Sequence, residues 1–475
     1  MKLQGAILSM NNRQDEKRIT LLVTTIGSFL APFMGAAVNI ALPKIGAEFS
    51  LDTVSLGWVA IIYILAGAMV IIPFGRAADI YGRKRIFTLG MSIFAVSSLL
   101  CAAVSSAALL IAFRALQGMG SAMVFGTAVA ILASVFSDKE RGRVLGVNVS
   151  SVYLGLSLGP FLGGVLTQQL GWRSLFLING IMGLLVVALI IRKLKGEWAE
   201  AKGESLDIPG SLTYGLSLAA LMYGLSLLPV THGLWGIIAG IAGLTFFLSQ
   251  QGRLKNPLLD MTLFLGNTVF TFSSLAALIN YSATFACGFI LSIYLQLVRG
   301  MNPQQAGFIL VAQPIIMAVF SPLTGRLSDY IEPRVLASTG MFIAVIGLTL
   351  MATFGPATPM ASITGSLMLL GLGFALFSSP NTNAIMGSVA KRHYGIASAT
   401  VGTMRYIGQM LSLGLATAVI SIYVGSVKIA AADSRLFISG MKVAFIIFAI
   451  LCFIGVFISL ARGRLYTEAT IKNIS

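Results

Sequence analysis

Apolar runs of about 20 residues, separated by short charged stretches, recur along this whole sequence, and each is long enough to cross a bilayer core. Inside lipid a backbone amide finds no water, so such runs must be helical. Of 475 residues, 57% are hydrophobic and 10% charged, and the mean hydropathy is +0.91. A soluble chain would carry roughly a quarter charged residues. Spans are read near 19–43, 55–75, 86–105, 107–134, 143–167, 174–192, 209–229, 233–250, 267–298, 303–324, 335–355, 360–388, 396–424 and 438–461. The expected fold class is an all-α integral membrane protein with about fourteen transmembrane helices.

A net charge of +16 raises a nucleic-acid reading, and the placement of the charges rejects it. A nucleic-acid footprint gathers Lys and Arg on one soluble module, whereas here they recur in small groups between apolar runs. Placing both termini in the cytoplasm puts Lys17, Arg18, Arg76, Arg83, Lys84, Arg85, Arg192, Lys193, Arg253, Arg326, Arg334 and Arg462 inside, among others. Lys44, Arg173, Arg299, Lys428, Arg435 and Lys442 fall outside, an inward bias of roughly four to one. A multi-pass plasma-membrane protein with cytoplasmic termini is therefore expected. Residues 1–18 show no cleavable leader, so the first span is expected to act as the targeting element. Cys101, Cys287 and Cys452 lie in different apolar runs and read as small buried hydrophobes.

A weak internal repeat divides the chain. Gly75-Arg76-Ala77-Ala78-Asp79-Ile80-Tyr81-Gly82-Arg83-Lys84-Arg85 follows the second span, and Gly325-Arg326-Leu327-Ser328-Asp329-Tyr330-Ile331-Glu332-Pro333-Arg334 follows the tenth. Both open on Gly-Arg and carry Asp at the fifth position; the second copy decays after it. Pairing the two leaves a surplus hairpin near 209–250. The expected domains are a six-helix bundle over 1–192, linkers with an inserted two-helix hairpin over 193–262, and a second six-helix bundle over 263–475.

Three segments carry most of the chemistry. In the first loop, Gly75 would permit close helix approach, Gly82 lies at the turn, and Asp79 can meet a helix N-terminus or a neighbouring Arg. Arg83 and Arg85 can pair across helix ends, a charge cluster able to hold one conformation closed; Asp329 is its counterpart in the second copy. The alternative for these cations is a loop that only sets topology. In the fourth span Arg114 and Gln117 lie one turn apart on one face, with Gly118, Gly120 and Ser121 allowing close packing. In the fifth, Gly155, Gly159, Gly163 and Gly164 form a ladder interrupted by the kinking Pro160.

Together these segments resemble the signatures of the major facilitator superfamily. With the extra hairpin, Val38-Asn39-Ile40-Ala41-Leu42-Pro43 and Gly171-Trp172-Arg173, the chain is similar to the fourteen-helix drug:proton antiporters of the EmrB/QacA type. The resemblance covers nearly the whole sequence. It implies a major facilitator fold of two six-helix bundles plus an inserted hairpin, export of small organic compounds, and a site between the halves. One position departs from that pattern. The family commonly carries an Asp five residues before the Asn matching Asn39, and here that position is Met34. Neither His232 nor His393 lies within a span, and no Asp or Glu falls deep in one. Proton antiport, which the resemblance implies, thus lacks its usual central carboxylate.

What lies at depth is basic and polar. Arg114 sits roughly 10 Å from one membrane edge and Arg405 roughly 13 Å from the other, at about 1.5 Å per residue. An intramembrane Arg usually faces a cavity or a partner, so both are expected to line a central cavity and to disfavour cations there. Gln117, Asn39, Tyr63, Asn280, Tyr281, Gln313, Asn381, Asn383 and Gln409 can join them or serve helix packing. Trp58, Phe125 and Phe289 read first as lipid- or core-facing. An enzyme would need a Ser-His, paired-carboxylate or metal constellation, and a primary pump a nucleotide motif; the sequence offers neither. The expectation is a transporter without cofactor or metal, functional as a monomer, whose partners are a small-molecule substrate and the lipid bilayer. Protons remain open as a coupling ion, with Asp79, Asp260 and Asp329 at the inner rim the available titrating groups.

Overall fold

The computed structural model describes residues 2–194, 196–228, 230–254, 256–259, 261–328, 330–389, 394–425 and 433–463. Those residues form helices and connections without a β-strand. The first part holds α1 (Lys2–Glu48), α2 (Thr53–Tyr81), α3 (Arg83–Ala103), α4 (Ala107–Val135), α5 (Asp138–Gln169) and α6 (Arg173–Lys193). A hairpin follows, α7 (Ile208–Ser226) and α8 (Thr231–Gln251). The last part holds α9 (Met261–Gly266), α10 (Thr268–Thr284), α11 (Cys287–Ile293) running into a π-turn (Tyr294–Val298), and α12 (Pro303–Leu310). Next come α13 (Ala312–Leu327), α14 (Pro333–Met351), α15 (Met360–Gly387), α16 (Tyr394–Val424) and α17 (Ser434–Ala461).

Polar residues between the apolar runs set the helix ends. Asp52, Asp207 and Asn267 each accept a backbone N–H as N-caps, and Asn302 with Gln305 closes a capping box on α12. Two extramembrane acids, Asp52 and Asp207, thereby serve as caps. Lys17 Nζ meets Glu140 at 2.7 Å and ties α1 to the start of α5. Hydrogen bonds from Lys17 and Ser137 hold the Glu140 carboxyl down at about 2.

Thirteen helical stretches among the described residues are long and apolar enough to span a membrane. The remaining expected span, α7, is not among the thirteen; it carries Thr213, Tyr214, Ser217 and Tyr223. Lipid-facing surface is evident on α8 and α17, where Trp235, Ile238, Ile241, Ile450, Phe453 and Phe457 are exposed.

Two expected spans are broken. The run 267–298 divides at Phe285–Ala286, where the Ser412 hydroxyl of α16 accepts the Ala286 N–H at 2.9 Å. The run 303–324 divides at Val311, because Pro314 cannot donate to the Leu310 carbonyl and the helix must restart. Hydropathy does not register either break, since the flanking residues stay apolar.

The helices pack in two groups. α1 lies on α4, α5 and α6, α3 on α4 and α6, and α2 on α4. In the second half α14 lies on α15 and α17, α13 on α15, and α10 on α16 and α17. The halves meet along α2–α16 and along α5 against α12 and α13. The α7–α8 hairpin rests on the first seam, with α7 against both α2 and α16. Tyr214 donates to the Ala68 carbonyl at 2.9 Å, and a Cβ on Gly414 would lie 2.7 Å from Met222.

Candidate functional site

A cavity of about 300 Å³ lies between the halves. The broken spans form part of its wall, through Thr284, Phe285 and Gly288 on one side and Leu310, Gln313 and Pro314 on another. Irregular backbone at membrane depth is tolerated where it lines such a space.

At the end of the bundle away from the chain termini, the halves touch backbone to backbone. A Cβ on Gly164 would lie 2.5 Å from the Pro303 carbonyl, and one on Gly307 2.2 Å from the Pro160 carbonyl. Ser292 donates to the Asn39 carbonyl at 2.7 Å and Gln296 to the Ile40 carbonyl at 3.1 Å. Nearer the middle, the Tyr153 and Ser378 hydroxyls stand 2.9 Å apart, and Ser157 donates to the Pro314 carbonyl at 3.1 Å. The Tyr406 hydroxyl is 3.2 Å from Ser121 Oγ, itself 2.8 Å from the Tyr63 hydroxyl. Toward the terminal end the cavity continues past Asn148, Thr382 and Met386. These inter-half hydrogen bonds lie in the middle and at the far end.

The predicted cavity residues divide. Arg405, Asn39, Tyr63, Tyr281, Gln313 and Gln409 line the cavity. Arg114, Gln117, Asn280 and Asn381 do not. Arg114 is 1% exposed and packed inside the first half. Its Nε donates to the Val59 carbonyl at 3.1 Å, its Nη1 to Gln117 Oε1 at 2.7 Å, and its guanidinium sits 4.2 Å over the Tyr63 ring. Gln117 in turn donates to Ser98 at 2.7 Å, so the pair binds α2, α3 and α4 together. The expected shared face of Arg114 and Gln117 is present, and it points into the bundle. Asn280 is fully buried with neither amide atom bonded. Asn381 accepts from Arg462 at 3.0 Å and donates to the Ser273 carbonyl at 3.1 Å. Arg462, which reads in sequence as a loop cation, is 1% exposed and joins α10, α15 and α17. Phe125, expected to face lipid or core, is on the cavity wall.

In the loop motif, Gly82 has φ +117°, a conformation that a side chain resists, and a Cβ there would meet the Glu197 carboxyl at 2.5 Å. Gly75 does not bring helices together: a Cβ there would meet nothing within 4 Å. Asp79 accepts from Arg83 Nε at 2.9 Å, as expected of a neighbouring pair. The other partners come from the segment between α6 and α7, which lies across the loop as an acidic strap. Arg83 meets Glu200 at 2.8 Å, Arg85 meets Glu197 at 3.6 Å, and Arg76 pairs with Glu204. Backbone bonds Arg83 N to Trp198 O (2.8 Å) and Ala201 N to Asp79 O (2.9 Å) fix the strap's register. The spacing of Glu197, Glu200 and Glu204 is the only sequence signal for it. Asp329 and Asp260 lie outside the described residues.

The glycine ladder of α5 has two faces. Gly155, Gly159 and Gly163 meet α1, where their Cβ atoms would come within 3 Å of Phe29, Ala36 and Ala37 respectively. Gly164 and Pro160 instead meet α12 of the other half.

Two helical halves with a mostly apolar cavity on their seam, set with a few polar groups and closed at one end, make up a membrane transporter. The chain belongs to the Major Facilitator Superfamily, whose family model matches residues 24–413 and 273–472. It is 29% identical over 408 residues to the riboflavin transporter RibZ of Clostridioides difficile, covering 86% of this chain and 88% of that protein. It is 30% identical over 417 residues to the multidrug resistance protein Stp of Mycobacterium tuberculosis, covering 86% of this chain and 76% of that one. With the cephamycin export protein CmcT of Amycolatopsis lactamdurans it shares 30% over 409 residues, 83% of each chain. The solved structure of a bacterial homologue of the human lysosomal transporter Spinster has the same fold, with a TM-score of 0.65 and 17% identity over 94% of this chain and 97% of that one. The chain is a multi-pass membrane transporter resembling the drug-efflux members of its superfamily.

Proposed function

We propose that this protein exports small organic compounds across the plasma membrane by alternating access, with both termini in the cytoplasm and the monomer as the working unit. The observation that carries this reading is the seam cavity: backbone contacts such as Gly164–Pro303 close one end, while toward the other the cavity continues past Asn148, Thr382 and Met386. Arg76, Arg83, Arg192, Lys193 and Arg326 cluster at the terminal end, which supports a cytoplasmic assignment. The state described is then open to the cytoplasm, where an exporter loads. Residues 1–192 and 263–475 act as the rocking bodies, with 193–262 between them. Relatives named as exporters support the direction.

A second reading has its own observation. Among the described residues no Asp or Glu lines the cavity, and Met34, at the position of the family's acid, is buried away from it. A facilitator or exporter of neutral or anionic solutes, moving without a central proton carrier, fits that wall. Transport into proteoliposomes of matched neutral, anionic and cationic compounds, with and without an imposed pH gradient, separates the two. Uptake stimulated at least severalfold by a proton gradient supports coupled export; gradient-independent exchange supports the second. Uptake of no compound above that in protein-free vesicles would overturn both.

A further inference from the structure

Arg405 stands apart from the other interior arginines. Arg114 is bonded to a carbonyl and an amide, Arg83 to two carboxylates and a hydroxyl, and Arg462 to Ser273, Ser459 and Asn381. Arg405 lines the cavity, and among the described residues its guanidinium takes part in no hydrogen bond or ion pair with another residue. One face of it lies 3.8 Å over the ring of Phe125, which comes from the opposite half, and Tyr406 is 6.0 Å away. Stacking occupies the face of a guanidinium and leaves the N–H groups in its plane free. Those donors form a flat fork matched to a carboxylate.

Resting on the transporter reading above, we propose that Arg405 and Phe125 form a carboxylate-reading site and that the transported compounds are small, flat-bodied organic acids. Among the described residues no acid lines the wall, and a half-buried cation there gains most from a substrate that brings the counter-charge. The body of such a substrate has aromatic surface to meet: Phe125 stands edge-on to Tyr406 at 6.4 Å, and Tyr281 edge-on to Phe374 at 5.5 Å. Gln409, one helical turn from Arg405 and also on the wall, adds an amide beside the fork. At about 300 Å³ the cavity is at the small end for ligand sites, which suits one or two fused rings better than an extended amphiphile. Because the stacked pair bridges the halves, an acid held there acts on both.

Binding to the full chain in lipid nanodiscs, followed by calorimetry, tests this with 1-naphthoate, 1-naphthalenemethanol, 1-naphthylmethylammonium and 1-naphthalenesulfonate. The carboxylate should bind about tenfold more tightly than the alcohol, and the ammonium most weakly. Arg405→Gln should erase the advantage of the carboxylate while leaving the affinity for the alcohol, which also reports that the variant is folded. Arg405→Lys should keep a preference for anions and lose the discrimination between flat carboxylate and tetrahedral sulfonate. Equal affinities for carboxylate and alcohol in the unaltered protein, a carboxylate advantage that survives Arg405→Gln, or no binding of any probe overturns the proposal. In the proteoliposome assay, transport of the alcohol with no preference for the acid removes this inference and leaves the transporter; selective carboxylate binding without transport of any probe overturns the claim that such acids are the cargo and tells against the export reading on which it rests.

Discussion

Arg114 and Arg405 look alike in the sequence, each a lone cation inside an apolar run, and the fold puts them to different uses. Arg114 has its hydrogen bonds inside the first half, so Arg114→Gln should act on stability. Losing buried bonds to a charged group removes about 2 kcal/mol, read as a lower thermal midpoint in detergent, with ligand charge preference unchanged. Arg405→Gln should leave that midpoint in place. A shift of ligand preference in the Arg114 variant at unaltered stability would contradict this division. The sequence could show that Arg114 and Gln117 share a face, because helical spacing fixes that. It could not show which way the face turns, which depends on Val59 and Ser98 from neighbouring helices. Arg462 was hidden for a related reason: it follows the last apolar run, and only the approach of Ser273 and Asn381 turns it inward.

At the scale of elements, the apolar runs were legible because bilayer thickness fixes their length, while the breaks in two of them arise from tertiary contacts such as Ser412 with Ala286. The glycine ladder of α5 was legible as a packing device, but not its division between two partners. Gly155→Ala and Gly159→Ala should loosen α1 from α5 and lower folded yield, since each methyl meets backbone or Cβ atoms within the same half. Gly164→Ala and Gly307→Ala should fold and wedge the far end open. A cysteine pair replacing Phe161 and Phe308, whose rings are 6.4 Å apart across the seam, reports it: the crosslink should form readily in the parent and be lost in either glycine variant. Equal crosslinking in all three would show that these glycines do not set the closure. The strap makes a separate prediction. Its carboxylates are partly exposed, so each pair is worth only about 0–1 kcal/mol and can exchange as the halves move. Replacing Glu197, Glu200 and Glu204 with Gln frees the loop cations, and a severalfold gain in the state closed at the terminal end is expected. Spin labels at Ser137 and Tyr330 would record a shorter distance; an unchanged distribution rules out a conformational role.

For the molecule as a whole, the Gly-Arg…Asp repeat is the sequence ground for expecting two halves, while no sequence pattern names the seam on which α7 rests. Rocking of the halves predicts that the Phe161–Phe308 cysteine crosslink, once formed, arrests transport and that reduction restores it; full activity in the crosslinked protein would exclude rocking. The resting place of α7 has a consequence for traffic through the membrane itself. On the α2–α16 side a lipid-dissolved molecule meets a third helix before it reaches the seam, whereas among the described residues the hairpin does not pack on the side where α5 meets α12 and α13. A compound entering from a leaflet rather than from water is then expected to come by the α5 side, since the hairpin covers the other.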